Sequence, residues 1–177
     1  MIFDPKHKIL SYEEAGAKAA ELRKKEEKII MMSGSFDLPH ITHVGFFNNV
    51  KKNGGALFIA LGTDEQIRLL KGPTRPIIPQ EARASMLAAL EIVDFVIIAD
   101  EPMQMPSKIH FEKLATIIKP DVFALNDDDS AIEDKRVFAE KHGAKFVIVE
   151  RFLMPFNDKD TTYLINTSNI IKRIKEN

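Results

Sequence analysis

Two histidines stand three residues apart in the sequence, shortly after an apolar run. The run, residues 28–33, ends at Gly34, and a short turn then leads to His40 and His43. We expect a helix to begin near Pro39 or His40, which would place both imidazoles in its first turn. Free N–H groups and the helix dipole attract anions there. The spacing is compatible with a phosphate site, although such a pair more often belongs to the exposed face of a surface helix.

The composition excludes several kinds of chemistry. The chain of 177 residues contains no cysteine, so disulfides, thiolate nucleophiles and cysteine-ligated zinc or iron–sulfur clusters are ruled out. A zinc site at the two histidines would need further ligands, and His7, His110 and His142 lie in no matching motif. With 25 lysines and arginines against 26 acidic residues, the net charge of −1 argues against a nucleic-acid surface.

The apolar segments also bear on location. The longest runs, residues 56–61 and 95–99, are much shorter than the ~20 residues that a membrane span requires. The first six residues contain an acid and lack a long apolar core, so they do not look like a signal peptide. We therefore expect a cytoplasmic protein with no membrane and no nucleic-acid partner.

Five short apolar runs predict buried β-strands. They are residues 28–33, 56–61, 95–99, 122–125 and 145–149. Between the runs the apolar residues follow helical spacing, at residues 81–90, 111–118 and 132–139, and a last helix is expected from Thr167. Ser11 and Glu14 match a capping box, which predicts a leading helix to about Glu27.

Continuous apolar strands separated by helices indicate a parallel sheet that is covered on both faces. We predict an α/β fold with a single doubly wound, Rossmann-like, five-stranded parallel sheet of order 3-2-1-4-5, and an N-terminal and a C-terminal helix. Residues 1–177 would form one domain, with residues 1–27 as an N-terminal extension and helix and residues 28–177 as the α/β core. Residues 103–107 and 152–163 are predicted to be loops, and the second could act as a lid.

Open α/β sheets bind ligands at the carboxyl ends of their strands, which singles out the residues after each run. Asp37 follows the first run and could serve as a helix cap or turn carboxylate. Thr63 and Asp64 follow the second run and could cap the next helix.

Three segments, in order, carry a family resemblance. Residues 34–43, Gly-Ser-Phe-Asp-Leu-Pro-His-Ile-Thr-His, resemble the Gly-x-Phe-Asp-x-x-His-x-Gly-His signature of the cytidylyltransferase-like nucleotidyltransferases. Residues 71–83 resemble the Lys-Gly-x-x-Arg-Pro block of that family, and residues 166–171 resemble its Ser-Thr-Thr-x-Ile stretch. The resemblance covers roughly residues 8–175 and is greatest to the adenylyltransferase domain of ADP-heptose synthases, whose Ala-Leu-Glu-x-Val-Asp segment is similar to residues 89–94.

The resemblance implies an HxGH-type nucleotidyltransferase that transfers a nucleoside monophosphate from ATP or CTP to a small phosphorylated acceptor, such as a sugar phosphate, and releases pyrophosphate. Mg²⁺ would be carried by the nucleotide phosphates, with no metal-ligating residues in the protein, and Asp37 could contact a water bound to it. A homo-oligomer is compatible with the likeness. The catalytic side chains would be His40, His43 and Lys71. The nucleotide-binding residues would be Gly34, Ser35, Phe36, Asp37, Thr42, Thr63, Asp64, Arg75, Asn126, Asn166, Thr167 and Ser168.

The two arginines of the second block have less certain roles from the sequence. Arg75 precedes Pro76, so we expect an extended backbone there and a side chain that could hold a phosphate or a carboxylate. Arg83 could bind a phosphate, or equally lie on the surface or at a subunit interface.

The sequence departs from the family pattern at two places. Thr42 replaces the glycine between the histidines. If its side chain points away from the site, nucleotide binding is unaffected, and if it points into the site, it narrows the nucleotide pocket. Residues 126–130, Asn-Asp-Asp-Asp-Ser, replace the Lys-Gly-Gly-Asp-Tyr of the heptose-type domains. The three acids would repel a triphosphate unless a cation lies between, or they merely cap the next helix.

The acidic run argues against a heptose phosphate as the acceptor. Two alternatives stay open. The first is a CTP-dependent cytidylyltransferase of the glycerol-3-phosphate type. The second is a catalytically altered homologue that binds nucleotides or regulates another protein.

Overall fold

The central feature of the computed structural model, which describes residues 4–103, 108–150, 155–158 and 161–176, is a five-stranded parallel sheet. Its strands are Ile29–Gly34 (β1), Ala56–Gly62 (β2), Phe95–Ala99 (β3), Val122–Asn126 (β4) and Lys145–Val149 (β5). The strand order is β3-β2-β1-β4-β5 and every pairing is parallel, which confirms the predicted fold class and order. The winding reverses between β1 and β4, so the carboxyl ends of these two strands border the crevice where such sheets bind ligands.

Helices cover both faces of the sheet. Their bounds are Tyr12–Lys24 (α1), Ile41–Lys51 (α2), Asp64–Lys71 (α3), Gln80–Ala88 (α4), Glu112–Ile118 (α5), Ile132–Lys141 (α6) and Thr167–Glu176 (α7), and a short 3-10 turn, Pro5–Lys8, precedes them. Within the described ranges, no helix is long and apolar enough to cross a membrane.

The core consists of two apolar clusters, one on each face of the sheet. Ile29 and Met31 of β1 pack into the cluster that contains buried side chains of α1, α5 and α6. Ile30 and Met32 pack into the other cluster, with buried side chains of α2 and α4. Because both faces of β1 are buried, all of these residues must be apolar, which explains why the strand reads as a continuous run in the sequence.

The predicted capping box at the start of α1 is confirmed. The hydroxyl oxygen of Ser11 accepts from the Glu14 N–H at 3.2 Å, and the Glu14 carboxylate accepts from the Ser11 N–H at 2.8 Å. The helix ends at Lys24, before the predicted Glu27, because Glu26 takes a left-handed conformation with φ of 59°.

One prediction about the C-terminal part was wrong. The segment predicted as a loop contains two short strands, Pro155–Asp158 (β6) and Thr161–Leu164 (β7), which pair antiparallel outside the main sheet. Strands of only four residues carry little periodicity, and β6 also begins with a proline, which explains why the sequence did not reveal them. The remaining positions of the two predicted loops, residues 104–107, 152–154 and 159–160, lie outside the described residues.

Candidate functional site

The turn after β1 is shaped by the contact between Gly34 and Phe36. Phe36 has a φ of 42° and folds its ring back over Gly34, where any Cβ would lie 2.6 Å from a ring atom. The same ring packs edge-on against His43, with 5.3 Å between centroids, and against Phe47 at 5.4 Å. Glycine is therefore required at position 34, and Phe36 supports the ring of His43.

The two histidines lie at the start of α2, one turn from the end of β1. The helix begins at Ile41, slightly later than predicted, with His40 as its N-cap residue. The backbone N–H of His40 donates to Nδ1 of His43 at 3.2 Å, and the two ring centroids are 4.0 Å apart. Because Nδ1 of His43 accepts, the neutral ring carries its hydrogen on Nε2, which makes Nε2 a donor.

A cavity of about 370 Å³ brings these histidines together with the start of α7, and we call it the histidine cavity. Asn166 caps α7, since its Oδ1 accepts from the Asn169 N–H at 2.8 Å. The cavity is lined by His40, Thr42, His43, Asn126, Asp128, Asn166, Thr167, Ser168 and Asn169. Five predicted site residues besides the histidines therefore meet them here: Thr42, Asn126, Asn166, Thr167 and Ser168.

Thr42, the residue that replaces the family glycine, contacts His40. Its hydroxyl oxygen lies 2.8 Å from His40 Nδ1 and 3.5 Å from the carbonyl oxygen of Ile165, just before α7. The side chain is 7% exposed and forms part of the cavity wall. Thr42 therefore orients the His40 ring and links α2 to the segment that leads into α7.

A second cavity, of about 300 Å³, lies at the carboxyl ends of β1, β2 and β4, and we call it the central cavity. Predicted residues on its wall are Gly34, Ser35, Phe36, Asp37, His43, Lys71, Asn126 and Thr167. The sequence analysis did not assign Gln66, Lys108, His110, Asp129 or Lys135, which also line it. Lys108 and His110 lie between β3 and α5, beyond the carboxyl end of a strand, where ligand-binding residues are expected. About ten residues separate them from β3, so the sequence alone did not single them out.

Asp37 is an anchor for the segment between α3 and α4. The residue is only 2% exposed, and its carboxylate accepts from the N–H groups of Ile77, at 2.7 Å, and Ile78, at 2.9 Å. It also forms an ion pair with Nε of Arg75. These contacts favour the turn-carboxylate interpretation over contact with a metal-bound water. Nη2 of Arg75 is buried and has no partner among the described residues.

Arg83 corrects the sequence-based expectation of a surface or interface residue, because its side chain is completely buried. It donates to the carbonyl oxygens of Ser35, at 2.5 Å, Gly62, at 2.9 Å, and Ile78, at 2.9 Å, and to Asp64 Oδ1 at 2.7 Å. Arg83 therefore joins the ends of β1 and β2 to the segment that holds Arg75.

Thr63 and Asp64 are not brought to either of the two cavities. Thr63 caps α3 through a reciprocal capping box with Gln66, as one of the two predicted alternatives stated. Asp64 forms an ion pair with Arg83. Thr63 and Asp64 line a separate cleft beside Glu65. The structure favours the helix-cap interpretation of Thr63.

The central cavity is less negative than the three acids of residues 127–129 suggested. Asp129 pairs with the buried Lys135 at 2.6 Å, and Asp127 is exposed and absent from both cavity walls, which leaves Asp128 as the acid facing both. Desolvation lowers the pKa of Lys71 below its ordinary value, and the positive charge of Arg75 lowers it further. The repulsion of an anionic ligand by the acidic run is therefore weaker than its three carboxylates imply.

Comparison with known proteins identifies the family of the chain. Residues 31–173 match the sequence profile of the family described as Cytidylyltransferase-like. The chain is 36% identical over 159 residues to the Bifunctional protein HldE of Alcanivorax borkumensis, and this match covers 88% of the chain and 29% of that protein. It is also 36% identical over 169 residues to the protein of that name from Cronobacter sakazakii, covering 93% and 32%. The chain thus spans about a third of the length of the curated relatives it matches.

Solved structures agree on the fold. A lipopolysaccharide core biosynthesis protein from Thermoplasma volcanium superposes with a TM-score of 0.56 at 24% identity, covering 71% of this chain and 97% of that one. A pantoate-beta-alanine ligase from Francisella tularensis, complexed with ATP and beta-alanine ligands, gives 0.58 at 13% identity, covering 94% and 76%. At such low identity, these two structures support the assignment of the fold only. The family assignment rests on the profile match and on the curated relatives. The chain belongs to the cytidylyltransferase-like family.

Proposed function

We propose that the chain is a nucleotidyltransferase that transfers a nucleoside monophosphate from ATP or CTP to a small phosphorylated acceptor, such as a sugar phosphate. The observation that carries the proposal is a wall shared by the two cavities. Four residues line both: His43, Asn126, Asp128 and Thr167. A transfer between two bound phosphate compounds needs two adjoining sites that meet at the reacting phosphorus. The arrangement of the two cavities supports such a reaction.

We place the nucleoside triphosphate in the histidine cavity and the acceptor in the central cavity. An oxygen of the acceptor phosphate would attack the α-phosphorus, and the bond from that phosphorus to the oxygen bridging the β-phosphate would break. Pyrophosphate would leave with that bonding pair, and no covalent enzyme intermediate is required. Catalysis then depends on position and on stabilising the negative charge that builds up on the phosphoryl oxygens.

The side chains of the shared wall suit these tasks. Nε2 of His43 would donate to an α-phosphate oxygen, and Thr167 would offer its hydroxyl and an N–H of the first turn of α7 to the outer phosphates. Lys71 would hold phosphate oxygens as a flexible point charge on the central cavity. His40, oriented by Thr42, would contact the triphosphate from the helix cap.

Mg²⁺ would arrive on the triphosphate. A Mg²⁺ ion that bridges nucleotide phosphates keeps several waters and needs only one or two carboxylates from the protein. Asp128 lines both cavities and would supply one such carboxylate, whereas the Asp37 oxygens are already occupied by Arg75 and two backbone N–H groups. Bound Mg²⁺ would supply neutralisation of the phosphate charge. We place the reaction in the cytoplasm because it consumes a nucleoside triphosphate.

Thermal stabilisation by nucleotides tests the proposal. A triphosphate present at 100 times its dissociation constant, with Mg²⁺, is expected to stabilise the protein by about 2.7 kcal/mol, or roughly 5–10 °C in Tm. ATP, CTP and GTP are compared by differential scanning calorimetry, and the nucleotide with the largest shift is then assayed for pyrophosphate release with a panel of phosphorylated acceptors. If none of the three raises Tm, the histidine cavity is not a nucleotide site.

The contact between Thr42 and His40 gives a second prediction. Thr42→Val keeps the shape of the side chain but removes the hydroxyl, and we expect kcat for pyrophosphate release to fall about fivefold because His40 loses one neutral hydrogen bond. Thr42→Ser, which retains the hydroxyl, should stay close to the wild-type rate. Steady-state kinetics on both variants decide the matter, and a valine variant as fast as the serine variant would show that the hydroxyl has no part in orienting His40.

A further inference from the structure

The central cavity contains a buried histidine that the proposed transfer step does not use. His110 is 8% exposed, and its ring lies beside Gly62 at the end of β2. A Cβ added at Gly62 would stand 3.5 Å from His110 Nε2. The ring packs edge-on against Phe111, with 5.0 Å between centroids, which holds its orientation.

The hydrogen-bond partners of His110 settle which nitrogen carries the hydrogen. Nδ1 lies 3.1 Å from the backbone carbonyl oxygen of Lys108, and a carbonyl oxygen can only accept. Nδ1 is therefore the donor. Burial lowers the pKa of His110 to about 4, so the ring is neutral near pH 7. Nε2 then presents a lone pair and acts as an acceptor.

This acceptor has no partner in the part of the chain that the structure describes. His110 Nε2 is buried without a hydrogen-bond partner, and so is Oδ1 of Asn126 on the same cavity. A buried acceptor that stays unpaired is costly, and such groups in native proteins are nearly always satisfied by a donor. The central cavity thus calls for a ligand that brings hydrogen-bond donors to its buried end.

The chemical class of that donor follows from the surroundings. Phosphate oxygens accept and would be held by the cations of the cavity, Lys71 and Lys108, both on its wall. A quaternary amine has no N–H and offers nothing to Nε2, whereas a hydroxyl group donates. We propose that His110 is a specificity-determining residue whose Nε2 accepts from a hydroxyl of the second substrate, so that the cavity selects hydroxyl-bearing phosphate esters over esters of quaternary amines. The inference rests on the proposed function for the identity of the cavity's occupant.

Isothermal titration calorimetry tests the inference by measuring the affinity of the central cavity for probes with and without a hydroxyl group. The protein is saturated with Mg²⁺ and a non-reactive analogue of its preferred triphosphate, then titrated with glycerol 3-phosphate and glucose 1-phosphate as hydroxylated probes, and with phosphocholine and inorganic phosphate as probes without a hydroxyl on carbon. We expect at least one hydroxylated probe to bind about tenfold more tightly than phosphocholine. His110→Phe should lose about tenfold in affinity for that probe and leave phosphocholine and inorganic phosphate unchanged.

Two further variants separate the acceptor from the packing. His110→Gln can place its amide oxygen near the position of Nε2 and should keep most of the affinity for the hydroxylated probe. His110→Asn keeps a donor for the Lys108 carbonyl but has no atom that reaches the position of Nε2, so it should show the loss expected of His110→Phe. It replaces His110→Phe in the comparison if that variant fails to fold. His7→Gln, on the exposed 3-10 turn, is the control for loss of a histidine elsewhere.

The outcomes distinguish this inference from the proposed function. Equal affinity for phosphocholine and the hydroxylated probes, or wild-type discrimination in His110→Asn, overturns the role of His110. Pyrophosphate release with phosphocholine in every variant would overturn it as well, while leaving the transferase intact. The expected binding pattern without pyrophosphate release from any probe would support His110 and count against the transfer reaction.

Discussion

Replacing His43 by alanine is expected to lower kcat for pyrophosphate release by about 10²–10³-fold. His43 is the imidazole that lines both cavities, and its Nδ1 accepts from the His40 N–H, so Nε2 carries the hydrogen that it would donate to a reacting phosphate. Stabilisation of charge that develops in the transition state affects kcat more than it affects ground-state binding. The variant should therefore show a much larger loss in kcat than change in KM for the nucleotide.

The comparison needs variants that separate chemistry from structure. His43 also packs against Phe36, so circular dichroism and Tm are measured for each variant before the kinetics. His43→Gln, whose amide N–H can still donate, should recover part of the rate. His7→Ala should match the wild type because His7 is exposed and lines neither cavity. A His43→Ala protein that turns over within a few-fold of wild type would place the reacting phosphorus elsewhere.

Replacing Arg83 by leucine is expected to reduce the free energy of unfolding by about 3–5 kcal/mol, or roughly 6–20 °C in Tm. Leucine fills part of the space but supplies none of the donors, so three backbone carbonyl oxygens and the Asp64 carboxylate lose their partner. Unpaired buried polar groups carry their full desolvation cost. Lysine cannot reproduce the fork of the guanidinium, so Arg83→Lys should recover only a minor part of the loss.

Urea titration, with the unfolding of the secondary structure followed by circular dichroism, measures the change. Arg68→Leu on α3 is the matched control, since this arginine is exposed and its loss should change the free energy by less than about 0.5 kcal/mol. If Arg83→Leu folds too poorly for a titration, Arg83→Lys provides the measurement. A loss under about 1 kcal/mol in both Arg83 variants would show that the segment holding Arg75 does not depend on this side chain.

The sheet was predictable because burial on both faces leaves a direct mark on the sequence. The buried residues of β1, 29–32, are apolar at every position, and the strand ends in a glycine over which Phe36 folds back. The capping box of α1 is local as well, since its two side chains bond within a single turn. Such features depend on neighbours in sequence and can be read without a structure.

Arg83 and His110 could not be placed in the same way. An arginine on a helix usually predicts an exposed side chain. The four acceptors that make burial of Arg83 favourable come from the turn after β1, the end of β2, the segment before α4 and the start of α3. His110 is a single histidine whose significance depends on Gly62 and Asn126, both distant in sequence. The candidate site was thus predictable where its motif is contiguous and not where distant segments complete it.

The wall common to the two cavities has a thermodynamic consequence for the order of events. A ligand in either cavity fixes the positions of side chains that the other ligand must also contact, so the two binding free energies are not independent. Linkage requires the effect to be reciprocal: the factor by which bound nucleotide alters the affinity for the acceptor equals the factor by which bound acceptor alters the affinity for the nucleotide. Cooperativity between substrates would then arise within a single chain, from side chains that belong to both sites at once.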